Sequence, residues 1–67
     1  MLKIGQKIRE IRLEKGMTQA VLAQKLNVRQ NLISQWETGW CEPHADMIRQ
    51  IAVALGCDAN ALFDMEN

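Results

Sequence analysis

The segment from Thr18 to Gly39, which reads TQAVLAQKLNVRQNLISQWETG, constrains the fold of this chain more than any other. Its apolar residues recur at intervals of three and four on both sides of Asn27, which is the spacing of two short amphipathic helices. Asn27 is one of the few residues besides glycine that tolerates the left-handed conformation of a sharp turn. We therefore predict two short helices that meet at a corner. The residues expected to hold this corner are Ala23, Asn27, Val28, Ile33 and Trp36.

The second of these two helices has an unusual outer face. At about 100° per residue, Ile33 and Trp36 fall on its inner face. The residues on its outer arc are all polar and uncharged, namely Gln30, Asn31, Ser34 and Gln35. A solvated helix face normally carries Lys and Glu, whereas Gln and Asn can form two hydrogen bonds with the N6 and N7 edge of adenine in the major groove. This arc therefore indicates a surface that reads DNA bases.

The remaining apolar residues predict three further helices, so we expect an all-α fold. In the first helix, Ile4, Ile8 and Ile11 form one buried stripe. Gly16 and Gly56 follow two of the helices, where a residue that adopts positive φ ends a helix readily. The first predicted helix runs from about Leu2 to Lys15, and the second begins at the N-cap Thr18 and ends before Asn27. The third runs from Arg29 or Gln30 to Thr38, and the fourth from His44 or Ala45 to Leu55. A short fifth helix follows Asp58, which caps it.

Length and charge limit the class of protein. We expect one small domain spanning residues 1–67. No apolar run approaches the roughly 18 residues of a membrane span, so we predict a cytoplasmic chain without a membrane partner. Residues 1–36 carry seven basic and two acidic side chains, and residues 37–67 carry one basic and six acidic. One end is thus suited to face a polyanion, although the charges alone are better explained as ordinary solvated helix faces.

The chain lacks the residue patterns of metal and catalytic sites. Cys41 and Cys57 are not at the close spacing of a zinc or redox motif, and His44 is the single histidine, so a metal would have too few ligands. We interpret the cysteines as free thiols, with a disulfide between them left open. His44 is interpreted as a residue at a helix start. We expect no enzyme activity, no cofactor and no small-molecule ligand.

Six segments spread over nearly the whole chain carry a family pattern. They are IGQKIREIR at 4–12, GMTQAVLAQKL at 16–26, ISQWETG at 33–39, Pro43, IAVALG at 51–56 and ALF at 61–63. Together they resemble the helix-turn-helix DNA-binding domain of lambda-type phage repressors and Cro, the XRE or Cro/C1 family. So many matches in register form a far more specific signal than one short motif. The resemblance implies a compact five-helix lambda-repressor-like domain whose third helix lies in the major groove.

The resemblance also implies roles for individual residues. The implied roles are base reading by Gln30, Asn31 and Gln35, phosphate binding by Gln19 and Thr38, and a structural ion pair between Arg12 and Glu37. Two exposed charges of little energetic value are the alternative to that pair. We prefer the pair because Glu37 lies beside the inner face of its helix, where an unpaired carboxylate is costly.

Three features depart from the family pattern. Arg29 stands where Ser or Thr is the usual N-cap, so the third helix is expected to be less firmly capped and Arg29 to supply a cation to a phosphate. The connection from Trp40 to Glu42 lacks the usual Lys or Arg, and Glu42 has the wrong charge for a phosphate contact. Asn27 replaces the usual glycine, a mild change. Trp40 is either a lid over the core or an exposed anchor for a partner.

The resulting hypothesis is a sequence-specific transcriptional regulator that binds double-stranded DNA. We expect a homodimeric repressor on a palindromic operator, with two half-sites about one helical turn apart, in the cytoplasm of a bacterium or phage host and associated with the nucleoid. The apolar residues considered for a C-terminal dimer contact are Leu62, Phe63 and Met65. The alternative is a protein-interaction module, such as an antitoxin or adaptor, which Trp40 favours and the Gln and Asn face opposes.

Overall fold

The computed structural model describes residues 4–62, which form five α-helices. Their bounds are Ile4–Glu14 (α1), Gln19–Leu26 (α2), Gln30–Thr38 (α3), Ala45–Leu55 (α4) and Ala59–Leu62 (α5). No strand occurs within residues 4–62. The prediction of an all-α, five-helix fold is confirmed. Helix α1 ends one residue before the predicted Lys15, and its predicted start at Leu2 lies outside the described residues.

Local backbone chemistry explains where the helices begin and end. The hydroxyl of Thr18 accepts a backbone N–H three residues along at 3.1 Å, so it caps α2 as predicted. Asn27 ends α2 in the left-handed conformation, with φ 58° and ψ 44°. His44 begins α4, and its Nδ1 accepts the backbone N–H three residues along at 3.4 Å. Helix α3 begins after Arg29 without a side-chain cap, also as predicted.

Helix α2 is held between two neighbours. It packs against α3 and against α4, whereas α3 and α4 have little direct contact with each other. Helix α1 packs against α3, α4 and α5 and so closes the other side of the core. The buried apolar residues come from all five helices and are Ile4, Ile8, Leu22, Ala23, Leu26, Ile33, Trp36, Ile48, Ile51, Ala52, Leu55 and Leu62. This core fixes the corner between α2 and α3.

The crossing of α1 over α3 requires glycine at position 5. A Cβ atom on Gly5 would lie 1.7 Å from the carbonyl oxygen of Trp36 and 2.6 Å from its carbonyl carbon. Both atoms belong to backbone, so no side-chain rotation relieves the clash. The apolar spacing of α1 does not single out Gly5. Its position as an isolated glycine inside a helical pattern was the available signal, because glycine costs about 1 kcal/mol relative to alanine there.

The burial of two apolar residues refines the sequence predictions. Ile11, in the predicted stripe of α1, is half-buried and packs against the core, and the neighbouring Arg12 is buried with 6% exposure. Leu62 is completely buried and so offers no exposed surface for the dimer contact considered for it. The other two residues considered, Phe63 and Met65, lie outside the described residues.

The cysteines are free thiols, which excludes the disulfide left open by the sequence. Both are half-buried. Burial raises the pKa of the Cys57 thiol above its ordinary value; Lys15 acts to lower this pKa and Asp58 to raise it further. The Cys57 thiol is therefore protonated at neutral pH, as expected of a packing residue and not of a reactive nucleophile.

Candidate nucleic-acid interface

The outer face of α3 is exposed, and its inner face is buried. Gln30, Asn31 and Gln35 are exposed. Ile33 and Trp36, on the opposite side, are 0% and 3% exposed. The three residues predicted to read bases thus form one surface, here called the amide surface. Gln30 and Gln35 are separated by about 7.5 Å along the helix axis at 1.5 Å per residue, which is roughly two base-pair steps of B-DNA.

A buried ion pair joins the last turn of α3 to α1. Arg12 donates from Nε to Oε2 of Glu37 at 2.7 Å and from Nη2 to Oε1 at 3.0 Å, and the two side chains are 7% and 2% exposed. Nη1 of Arg12 donates to the carbonyl oxygen of Met17 at 2.8 Å. The same guanidinium therefore also binds the turn between α1 and α2. Such a bidentate, charge-assisted pair fixes geometry as well as adding energy.

Gln19 connects this ion pair to the amide surface. Its Nε2 donates to Oε1 of Glu37 at 3.0 Å, and its Oε1 accepts from Nε2 of Gln30 at 3.4 Å. The structure therefore brings together a predicted phosphate contact, a predicted base contact and the buried carboxylate. Roles for all three residues were predicted from the sequence, but the bonds between them were not, since periodicity defines the helix face on which a side chain lies and not its hydrogen-bond partner.

The other two predicted phosphate contacts lie at opposite ends of α3. Arg29 is exposed and immediately precedes the helix, so its charge stands beside Gln30 at the N-terminal end of the amide surface. Thr38 is exposed in the last turn, and its hydroxyl donates to the carbonyl oxygen of Gln35 at 3.3 Å. Both side chains are accessible to a ligand that spans the length of α3.

The connection after α3 folds back against the amide surface. Gly39 ends the helix with φ 83°, and the N–H groups of Trp40 and Cys41 both donate to the carbonyl oxygen of Gln35, at 2.9 and 3.4 Å. The thiol of Cys41 also donates to Oε1 of Gln35 at 3.9 Å. Trp40 is 78% exposed, so it is not a lid over the core. The alternative of an exposed side chain is the one found.

Burial and ion pairing reduce the number of basic side chains that are available at the surface. Arg12 is neutralised by Glu37 and so adds nothing to a basic surface. Arg49 pairs with Asp46 in an exposed contact at 3.0 Å. The exposed basic residues in the described part of the basic half are Arg9, Lys15, Lys25 and Arg29. Arg29 is the member of this group that directly adjoins the amide surface.

Within residues 4–62, no group of three or more His, Cys, Asp or Glu side chains is arranged to hold a metal ion. The helices of the described part are too short or too polar to cross a membrane.

Comparison with known proteins identifies the chain's relatives. A protein-family model described as helix-turn-helix matches residues 8–62. Multiprotein-bridging factor 1 of Debaryomyces hansenii is 34% identical over 55 residues, which cover 82% of this chain and 37% of that protein. The immunity repressor protein of Bacillus phage phi105 is 31% identical over 65 residues, which cover 97% of this chain and 45% of the repressor. The chain thus spans less than half the length of these relatives.

A solved structure agrees closely with the fold. The restriction-modification controller protein C.AhdI of Aeromonas hydrophila superimposes with a TM-score of 0.86 at 31% identity. The match covers 92% of this chain and 94% of the controller protein. The helical arrangement described above is therefore that of a protein of similar size.

Proposed function

This chain belongs to the helix-turn-helix family of the XRE/Cro-C1 type, and from that membership we propose that it is a sequence-specific regulator of transcription that binds double-stranded DNA. The observation that carries the proposal is the amide surface. Three neutral hydrogen-bonding side chains are exposed on α3, while the opposite face of this short helix is buried. Exposed Gln and Asn suit base edges in the major groove better than they suit water.

The proposed roles divide between base edges and phosphates. Gln30, Asn31 and Gln35 contact bases and set sequence preference. Gln19, Arg29 and Thr38 contact phosphates and set the position of the domain on the duplex. Gln19 is bonded to both Gln30 and Glu37, so its proposed phosphate contact lies directly beside one base-reading side chain.

A single α3 helix contacts too few base pairs to select one site. We therefore propose that the protein acts as a homodimeric repressor on a palindromic operator in the nucleoid of a bacterium or phage host, with half-sites about one helical turn apart. The phage immunity repressor and the restriction-modification controller among its relatives support a regulatory role. Repression follows if the bound dimer blocks access to a promoter.

Selection from a random duplex pool, followed by binding titrations at several salt concentrations, tests this proposal. We expect a palindromic consensus, and a binding constant whose logarithm falls linearly with log salt. For a dimer with one Arg29 contact per subunit, Arg29→Ala lowers the magnitude of the slope by about 1.8. Lys25→Ala, which removes an exposed charge from α2, serves as the matched control with a smaller change. A pool without enrichment contradicts the proposal.

A second candidate function is a bridge between proteins. Similarity to a multiprotein-bridging factor and the exposed Trp40 favour it, and the amide surface opposes it. The same selection separates the two functions. A bridging module gives no consensus sequence, and its association with a protein partner tolerates Gln30→Ala.

A further inference from the structure

A groove of about 570 Å³ lies between α2 and α4. The last turn of α2 and one side of α4 line it, with the residues Lys25, Leu26, Arg49, Gln50, Val53 and Ala54. The lining residues from α4 recur at intervals of about one helical turn, so they form one face of that helix. This groove, here called the α2–α4 groove, contains none of the residues to which base or phosphate contacts are assigned above.

The α2–α4 groove exposes apolar side chains. Val53 is 80% exposed, and Ala54 beside it is half-buried. A β-branched apolar residue at an exposed helix position adds neither helix propensity nor solubility. On α2, the exposed Val21 lies one turn before Lys25 on the same side of the helix. Apolar surface is therefore exposed on both helices, as is typical of a site that binds another molecule.

The described residues that line this groove include two cations and no acidic side chain. Lys25 is exposed, and the ion pairs among residues 4–62 do not include it. Arg49 is the single basic residue in the acidic half of the chain, residues 37–67. Its pair with Asp46 is 72% and 76% exposed, and such pairs are worth little, so a ligand carboxylate can replace Asp46. The groove therefore suits an acidic ligand.

The groove is open to solvent, which favours a protein segment over a small molecule. Of the lining residues in the described part of the chain, only Leu26 is buried. Small-molecule sites are concave and enclose most of the ligand. An amphipathic peptide, in contrast, places one apolar face in an open groove and leaves its other face in water.

We propose that the α2–α4 groove binds a segment of another protein in which carboxylates flank an apolar side chain. The carboxylates pair with Lys25 and Arg49. The apolar side chain lies on Val53 and Ala54. The inference does not depend on DNA binding. Because α2 packs between α3 and α4, a segment in the groove leaves the amide surface free, so the domain has one surface for bases and another for an acidic protein segment.

Selection from a displayed library of random peptides tests the inference on the full chain. Peptides of about 16 residues are long enough to present anchors over several helical turns. We expect enrichment of peptides in which Asp or Glu lies about one helical turn from Leu, Ile or Phe. The same library is selected on the double variant Lys25→Glu, Arg49→Glu, on which acidic peptides should be lost and basic ones enriched.

Binding titrations with one enriched peptide then separate charge from apolar contact. The double variant should bind it at least about tenfold more weakly, because two favourable charge pairs become repulsive. Val53→Ala should weaken binding about fivefold, because apolar area is lost from the contact. Added salt should weaken binding to the wild type, since exposed charge pairs are screened.

Matched controls come from α1. Arg9→Glu controls for the charge reversals, and Leu13→Ala controls for Val53→Ala, because both residues are exposed outside the groove. Neither change should alter peptide affinity. Circular dichroism verifies that each variant folds. If the double variant does not fold, Lys25→Gln and Arg49→Gln remove the charges without reversing them and should weaken peptide binding in the same direction.

Two results overturn the inference: a library without acidic enrichment, or an enriched peptide that binds the double variant as tightly as the wild type. If the double variant instead loses duplex affinity as strongly as Arg29→Ala, the groove is a DNA contact and the inference fails. It also fails if the double variant changes the association state in sedimentation, because the groove then binds a second copy. Retained peptide binding without a duplex consensus contradicts the proposed function alone.

Discussion

The inner face of α3 packs against the rest of the protein, whereas its outer face makes few contacts. Ile33 and Trp36 lie in the core, and Glu37 is fixed by three hydrogen bonds from Arg12 and Gln19. On the outer face, Asn31 is exposed. This difference within a nine-residue helix leads to a prediction: substitutions on the inner face should change stability, and those on the outer face should change DNA binding.

Gln19 is the point at which the two faces meet. It bonds to the buried Glu37 and to the exposed Gln30. Gln19 is therefore the residue at which stability and binding are expected to be least separate. Substitutions that proceed from the inner face of α3 to its outer face test how far the two are separated elsewhere.

Removal of Glu37 should have the largest effect. Glu37→Ala leaves the guanidinium of Arg12 buried without its partner, so we expect a loss of about 3–5 kcal/mol in the free energy of unfolding. Urea denaturation followed by circular dichroism measures it. Glu42→Ala is the control, because Glu42 is exposed and its removal should change stability by less than about 0.5 kcal/mol. Equal effects of the two substitutions are incompatible with a structural role for the ion pair.

A methyl group at position 5 should have the next largest effect. Gly5→Ala puts a Cβ into the backbone of Trp36, and overpacking of this kind is expected to cost about 3 kcal/mol despite the better helix propensity of alanine. Thermal unfolding is the measurement, with Gln6→Ala on the exposed side of α1 as the control. A stabilised Gly5→Ala variant contradicts the close approach of α1 to α3.

Arg29 lies between the faces, at the uncapped start of α3. Arg29→Ser supplies the missing cap and should raise the free energy of unfolding by about 0.5–1 kcal/mol. The same change removes a cation and should lower the salt slope of DNA binding by about 0.9 per subunit. Stability and affinity thus move in opposite directions. If both fall, Arg29 has a structural role that its exposure does not indicate.

Asn31 should affect stability least. We expect Asn31→Ala to change the free energy of unfolding by less than about 0.5 kcal/mol, while affinity for the selected duplex falls by roughly 1–3 kcal/mol. Chemical denaturation and a binding titration on one preparation give both values. A large loss of stability would contradict the position of Asn31 on the outer face of α3, and an unchanged affinity would contradict its proposed contact with DNA.

Local patterns predicted much of the fold and the candidate positions. Helical periodicity assigned Ile33 and Trp36 to the core, and the chemistry of Thr18 and Asn27 located the two ends of α2. The spacing of side chains does not determine how closely two helices approach each other, which explains why the requirement for Gly5 emerged only from the structure.

The hydrogen bonds among the site residues also could not be predicted from the spacing of side chains. Gln19 and Glu37 are 18 positions apart in sequence, and the bond from Cys41 to Gln35 depends on how the chain turns at Gly39. Neither bond follows a helical period. Helical periodicity also could not predict the exposure of Trp40, because this residue lies in a connection between helices.

Duplex selection repeated with Gln30→Ala tests the division of α3 most directly. Gln30 is exposed, and its hydrogen bond to Gln19 is long, so the variant should unfold at nearly the same denaturant concentration as the wild type. We predict that its selected sites lose preference at one position in each half-site, at a cost of roughly 1–3 kcal/mol for the wild-type sequence. Gln19→Ala, in comparison, should weaken binding to all sequences. An unaltered consensus from the Gln30→Ala protein would contradict base reading by the outer face of α3.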